Sequence, residues 1–371
     1  MIKGDKMKVL MVNTVPTERN GITNVILNLI SALDNNKIEI GYVAINNPED
    51  SIQKFLKDLD VRLYIVPRRI SSSIQYIKRL AIITKEYDII HVHGNSATMS
   101  LEMIAAKLGR VPLRISHAHN SSCVMKSIDK FFRPLFYKLC NGCLTCSKKA
   151  GDWLYGDKDY IVINNGIDIE KFRFNEQKRA EIRSQLYLND NIIVIGNVAN
   201  FDYAKNHPFI FEIFKELLSL NNKARLMLVG GGSKFDEYTQ LTKDLGIYDK
   251  VIFTGNVSNP NDYMSAMDLI IMPSIFEGFP LTLVEEQANG LHCIVSDAIT
   301  NEVNISGNVH FLSLNQSANE WAQYINNILS KNIDRVSLSN EAISSINSSE
   351  YSIKVIADRL LQYYIDKLPN K

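Results

Sequence analysis

A chain of 371 residues, 46% hydrophobic and 22% charged, has ordinary globular composition and length for two domains at roughly 100 to 200 residues each, which excludes a disordered, collagenous or disulfide-scaffold protein. No apolar run reaches the roughly 20 residues of a membrane span, and the opening MIKGDKMKVLMVNTVP lacks the pattern of a cleaved leader, so a cytoplasmic location is expected. The overall balance of +1 argues against a dedicated nucleic-acid binder but conceals an asymmetry, 23 Lys and Arg against 15 Asp and Glu in residues 1–166 and 18 against 25 thereafter, which fits either scattered solvated charge or a basic first half facing anionic lipid or an acidic acceptor.

In chain order, MKVLMVNT (7–14) predicts a strand, and GITNVILNLISAL (21–33) a helix entered through a glycine turn. IEIGYVAIN, VRLYIVP, DIIHVHG, PLRISHAH and GCLTCS continue as strands, with helical stretches such as IQYIKRLAIITKEY and SLEMIAAKLG between them. Near-continuous apolar strands alternating with helices predict a parallel sheet covered on both faces. IVINNGIDIEKF (161–172) closes the series with an Asn-Asn-Gly turn signal before the charged helical segment NEQKRAEIRSQL, so domains of 1–170 and 171–350 are expected. NIIVIGNVAN (191–200), ARLMLVGG, KVIFTGN, DLIIMPS, HCIVSD and NVHFLS predict a second doubly wound sheet. YSIKVIADRLLQYYIDKL (351–368) predicts a terminal amphipathic helix with Ile353, Ile356, Leu360, Tyr364 and Leu368 on its apolar face. Ligands of such sheets bind beyond the carboxyl ends of strands, so an interdomain cleft lined by strand-end loops is expected.

The strongest local signal is IMPSIFEGFPLTLVEEQANG (271–290). A strand ends near Pro273, a polar loop carries Glu277, and Pro280 is expected in the first turn of a helix closed by Gly290. The amides of about Leu281 to Leu283 would then point out of the helix start, the usual site for a diphosphate, with Glu285 one turn on. IGNVANFDYAKNHPFIFEIF (195–214) places Lys205 in another strand-end loop, where it would neutralise a leaving diphosphate. His117 and His119 in RISHAHNSS share a strand face; they suggest metal ligands, but no third ligand is evident, and His91 and His93 are expected at a different strand end. CNGCLTC, with Cys140, Cys143 and Cys146, lacks a paired fourth cysteine and fits packing better than an iron–sulfur site. LVGGGSKF has Phe235 where a dinucleotide fingerprint needs its third glycine. The acid pairs Asp58/Asp60 and Asp157/Asp159 precede strands and fit turns.

EGFPLTLVE, a Glu, seven residues and a Glu within PS…EGFPLTLVEEQANGLHCIVSD, closely resembles the family 4 retaining glycosyltransferases of GT-B fold. IVINNGIDIEKF, LMLVGGGS, VIFTGNVSNPNDYMSAMDLIIMPS and the terminal helix correspond as well, so the resemblance spans nearly the whole chain. It implies two Rossmann-like α/β domains, an acceptor domain and a donor domain, with residues 351–371 as a helix returning to the first. It further implies that Glu277 contacts donor-sugar hydroxyls, Glu285 the ribose, and the amides around Pro280, Leu281 and Thr282 the diphosphate, with Gly278 and Phe279 also among the donor-binding residues. Gly21 matches the glycine that admits the donor phosphates, although a plain turn explains it equally, and His119 matches the strand-end histidine near sugar and acceptor. The chain departs from the family at its glycine-arginine pair, which is Ala199 and Asn200 here, while Lys205 fits the family lysine.

The resulting expectation is retaining transfer of a sugar from a nucleoside-diphosphate sugar, of UDP type, to a lipid-linked glycan acceptor in surface-polysaccharide synthesis at the inner face of the membrane, with Glu277, Lys205 and His119 as catalytic candidates and no metal or cofactor. KSIDKFFRPLFYKLC (126–140) mixes aromatic and basic residues, which suits a lipid contact or an ordinary amphipathic helix alike. A non-catalytic binding protein of the same fold, which would account for Asn200, and a nucleotide-sugar epimerase are the alternatives.

Overall fold

The first apolar run forms strand β1 (Met7–Asn13) in the computed structural model, which describes residues 6–18, 20–123, 125–277, 279–331 and 333–369. There follow α1 (Gly21–Ala32), β2 (Ile38–Ala44), α2 (Asp50–Asp58), β3 (Arg62–Ile65), α3 (Ser73–Ile83), β4 (Ile89–Gly94), α4 (Ser100–Leu108), β5 (Leu113–Ala118), α5 (Lys126–Leu139), β6 (Gly142–Thr145), α6 (Lys148–Tyr155) and the two-residue β7 (Ile161–Val162). These strands pair in parallel in the order β3-β2-β1-β4-β5-β6-β7. Strand side chains alternate between faces, so Val9 and Met11 enter one buried cluster and Leu10 and Val12 another. The first cluster is covered by α1 and α2, the second by α3 to α6. Burial on both faces explains why these strands are apolar without interruption.

The second series comprises α7 (Glu176–Gln185), β8 (Ile193–Val198), α8 (His207–Leu220), β9 (Ala224–Val229), α9 (Phe235–Asp244), β10 (Val251–Gly255), α10 (Pro260–Ala266), β11 (Leu269–Met272), α11 (Leu281–Ala288), β12 (His292–Ser296), β13 (Val309–Leu312), α12 (Ala318–Leu329) and α13 (Arg335–Asn347). Its parallel sheet has the order β10-β9-β8-β11-β12-β13. Ile270 and Met272 face one core and Leu269 and Ile271 the other, the same alternation as in β1.

The chain divides into one unit of residues 1–166 and 350–371 and another of Ile167–Ser349. The division falls before Ile167 instead of after residue 170 because Ile167, Ile169 and Phe172 bury their side chains in the second unit's core. The last helix, α14 (Ile353–Lys367), lies against α1 and inserts Ile353, Ile356, Leu360 and Tyr364 into the first unit's core. Leu368, expected on that face, is its C-cap and only partly buried.

Candidate active site

In the second unit the strand order reverses between β8 and β11, which are neighbours in the sheet. Such a switch point opens a crevice outside the carboxyl ends of the two strands. The loop after β8 ends in a single turn, Tyr203–Lys205, capped by the Asp202 carboxylate, which accepts the Lys205 amide at 3.2 Å. The loop after β11 is stitched to it: Ile275 N donates to Ala204 O at 2.8 Å, and Asn206 Nδ2 to Pro273 O at 3.1 Å. Asn206 holds φ 56°, a left-handed backbone that asparagine tolerates better than most residues. The result is a direct meeting of two expected site residues. Lys205 Nζ lies 2.6 Å from Glu277 Oε1, and Ser274 Oγ donates to the same oxygen at 2.9 Å. Both charged side chains are largely but not wholly covered, 22% and 11% exposed, so the charges remain within reach of a ligand.

Helix α11 begins one residue later than expected. Pro280 is its N-cap, not part of its first turn, and Leu283 N already donates to Pro280 O at 3.0 Å. At most the Leu281 and Thr282 amides are left to bind an anion there. Phe279 and Leu281 pack against the second unit's core, which anchors this start, and Gly278 lies outside the described residues. Gly290 closes the helix at φ 73°; a Cβ there would lie 2.7 Å from Arg335 O and Ser339 N. Glu285 is half-buried, and desolvation pushes its carboxyl up to about 7, with Lys171 pulling the other way. The adjacent Glu286, which sequence reasoning passed over, is fully buried with neither oxygen hydrogen-bonded. Burial first, then Glu285, raises it well above the usual carboxylate range. Asn200 is exposed in the loop after β8. That loop passes so close to β9 that Gly230, at φ 140°, has no room for a Cβ against Ala199 O.

In the first unit the order reverses between β1 and β4. Gly21 opens α1 behind Asn20, whose side chain accepts Thr23 N at 3.0 Å. A Cβ on Gly21 would meet nothing within 4 Å, so the chain itself makes no steric demand for glycine there. The histidines are arranged differently from the expectation. β4 and β5 are adjacent with His93 opposite His117, so His91, His93, His117 and His119 form one stacked cluster instead of two separate strand ends. His91 Nε2 is 3.2 Å from His117 Nδ1, His93 Nδ1 is 2.9 Å from His119 Nε2, and Tyr364 Oη of α14 lies 2.6 Å from His91 Nδ1. Rings 91 and 117 are nearly parallel at 7°, and ring 93 stacks on ring 91 at 4.2 Å.

One nitrogen from each of His91, His93 and His117 falls within 4.8 Å of the others, the only such group of metal-capable side chains among the described residues. Stacked rings, however, send their in-plane lone pairs side by side, whereas ligands about 2.0–2.1 Å from one zinc ion must converge on it. Here the imidazoles bond mainly to one another. His119, expected to be catalytic, has Nε2 occupied by His93 and Nδ1 buried. Burial, reinforced by neighbouring imidazoles, lowers His91 to about 3 and His93 and His117 well below the usual value, while burial alone lowers His119 to about 4.

All four rings are therefore neutral at pH 7, and the sign of their effect on stability follows. A histidine whose folded-state value lies below its unfolded value of about 6.5 supports the fold above that pH and progressively less as pH falls toward the folded value. Glu285 acts oppositely, stabilising relative to pH 7 as it takes up its proton. The urea midpoint is expected to fall between pH 6.5 and 5 less steeply in His119→Gln than in the natural protein. Equal slopes would show that His119 is not held neutral.

Against this geometry, residues 178–345 match the model of the glycosyl transferases group 1 and residues 19–171 that of glycosyltransferase family 4. The chain is 29% identical over 323 residues to the putative glycosyltransferase EpsF of Bacillus subtilis strain 168, covering 83% of this chain and 84% of that protein. It is 27% identical over 395 residues to the UDP-Gal:alpha-D-GlcNAc-diphosphoundecaprenol alpha-1,3-galactosyltransferase of Escherichia coli, covering 99% and 98%. Its fold is that of Anabaena HepE, solved in complex with UDP, with a TM-score of 0.78 over 97% of this chain and 100% of that one at 17% identity. With two adjacent family models spanning most of its length, each over its own parallel-sheet unit, the chain belongs to the family 4 type of glycosyltransferases and has their GT-B fold.

Proposed function

We propose that this glycosyltransferase moves a sugar from a UDP-sugar to a lipid-linked glycan with retention of anomeric configuration, in the synthesis of a surface polysaccharide. The observation that carries the reading is the Lys205–Glu277–Ser274 cluster at the β8/β11 switch point, beside the start of α11. A carboxylate accepts hydrogen bonds from sugar hydroxyls, while an ammonium and helix-start amides suit a diphosphate. In this reading Glu277 holds the donor sugar and Glu285 the ribose, and Lys205 with the Leu281 and Thr282 amides stabilises charge developing on the leaving diphosphate. The diphosphate itself helps remove the acceptor proton, and no metal is assigned a part. The galactosyltransferase of Escherichia coli, named for UDP-Gal and a diphosphoundecaprenol-linked acceptor, and HepE with its bound UDP support the choice of substrates. The basic first unit is assigned to the acceptor.

The test is incubation with a panel of UDP-hexoses and a diphospholipid-linked monosaccharide, with the product's anomeric configuration read by NMR. An inverted product, or an altered free nucleotide sugar without an acceptor product, would overturn the proposal. Asn200 gives the same assay a second arm. Supplying the cation that family members carry there, as Asn200→Arg, adds a charge-assisted bond worth about 1.5–3 kcal/mol, so donor affinity is expected to rise roughly tenfold or more, and less in high salt. Unchanged affinity would mean that another group already fills the place.

A further inference from the structure

Cys140 and Cys143 touch through their sulfurs. Cys140 is the C-cap of α5 and Cys143 the second residue of β6, with only Asn141 and Gly142 between them. The two Sγ atoms are 4.0 Å apart, in hydrogen-bonding contact. The turn that carries them is fixed to β5. Asn141 N donates to Arg114 O at 3.1 Å, Arg114 N to Asn141 Oδ1 at 2.6 Å, and Asn141 Nδ2 to Pro112 O at 2.8 Å. Gly142 lies so close to its neighbours that a Cβ there would stand 2.8 Å from Ile115 Cγ1 and 3.0 Å from Tyr363 Oη of α14. With the backbone held in this way, closing the sulfurs to the ~2.05 Å of a disulfide falls within the reach of side-chain rotation.

The two sulfurs differ in their surroundings. Cys140 Sγ lies 3.1 Å from Ser116 Oγ, a hydroxyl able to donate to a thiolate. The Cys143 thiol, donating to Cys140 Sγ, favours the Cys140 thiolate and outweighs burial, so Cys140 sits below the usual thiol range. The same bond, reinforced by burial, holds Cys143 above that range. Burial raises Cys123 and Cys146 as well. Cys293 is fully buried with its thiol on Leu291 O, the setting of an inert packing cysteine. Cys140 and Cys143, by contrast, are only half-buried and open to a small reagent. They flank the amino end of β6, whereas ligands of such sheets bind beyond the carboxyl ends.

We propose that Cys140 and Cys143 form a reversible redox pair, oxidised by hydrogen peroxide to a disulfide and reopened by a dithiol. The Cys140 thiolate attacks one peroxide oxygen, the O–O bond breaks, and the departing hydroxide takes up a proton as water, leaving a sulfenic acid on Cys140. The Cys143 sulfur then displaces the sulfenic hydroxyl, which leaves as a second water with the Cys143 proton. Two thiols have given up two hydrogens, and one peroxide has become two waters. The bridge ties the exit of α5 to β6.

The test uses the full chain, reduced and then treated with hydrogen peroxide in the absence of donor and acceptor. Thiols titrated after unfolding are expected to fall from five to three and to return to five with dithiothreitol. The tryptic peptide of residues 139–148 should weigh two hydrogens less, with no backbone fragments from between Cys140 and Cys143. At pH 7 the reduced protein should be alkylated at Cys140 about tenfold or more faster than at Cys146. Cys140→Ser should retain its remaining thiols, Cys143→Ser should stop at a sulfenic acid that dimedone captures, and Cys146→Ser should still lose two thiols. Peroxide-treated natural protein that keeps five thiols, or that bridges through Cys123, Cys146 or a second copy of the chain, would overturn the proposal whether or not the variants fold. Because the assay contains no substrate, failure of the proposed sugar transfer would leave this pair standing.

Discussion

Glu277→Ala is expected to reduce sugar transfer by roughly 10³-fold or more, the scale seen when a polar group placed for the transition state is removed. Its carboxylate is the proposed acceptor for donor-sugar hydroxyls and also joins the loops after β8 and β11 through Lys205 and Ser274. Truncation therefore has two consequences. Chemistry loses a positioned anion, and the protein keeps a partly covered Lys205 without its counter-ion. The second should cost about 1–3 kcal/mol, between the values for exposed and buried pairs, and lower Tm by a few degrees. Glu277→Gln separates the two: the amide preserves shape and can still accept from Ser274 Oγ, so stability should recover more than turnover. Unchanged turnover in Glu277→Ala, measured where the variant is fully folded, would remove Glu277 from the reaction.

Lys205→Ala should lower kcat by roughly 10- to 10³-fold with a smaller rise in KM, because its charge matters most when the diphosphate leaves. This variant breaks the same 2.6 Å pair as Glu277→Ala, so a stability change by itself does not mark Lys205 as structural. The pair predicts non-additivity: the double variant should be little less stable than either single one, since the shared contact is lost only once. Lys205→Arg should keep the cation but displace it, recovering Tm before kcat. If the fall in activity merely matched the unfolded fraction at the assay temperature, Lys205 would have no direct part in transfer.

Much of this was legible in the sequence, for definite physical reasons. Doubly covered parallel strands must be apolar at every position, so runs such as KVLMV and LIIM announced β1 and β11. Lys205 and Glu277 stand 72 positions apart, yet each follows a strand, and chain reversal at a switch point brings such loops together. What escaped depended on pairing or on solvent. The histidine cluster needs β4 beside β5 with His93 opposite His117, a register that no local pattern specifies. The pairing of Leu283 N with Pro280 O is a turn geometry that EGFPLTLVE does not encode in residue type alone. In IQYIKRLAIITKEY the isoleucines lie on both sides of the helix, so periodicity marks a helix without showing that Ile74 and Ile82 face outward.

The way α14 completes the first unit sets an order of events during synthesis. The chain leaves that unit at Gly166, builds all of Ile167–Ser349, and only then supplies Ile353, Ile356, Leu360 and Tyr364 to the core begun by β1. At about 5–20 residues per second on the ribosome, those roughly 180 intervening residues take about 10–40 s. Throughout that interval the core under α1 and α2 lacks the side chains that α14 adds to it, and His91 lacks the Tyr364 hydroxyl. The second unit, drawn from one continuous stretch, can close first; the first unit, although translated earlier, closes last and is the stretch on which a nascent-chain chaperone would act.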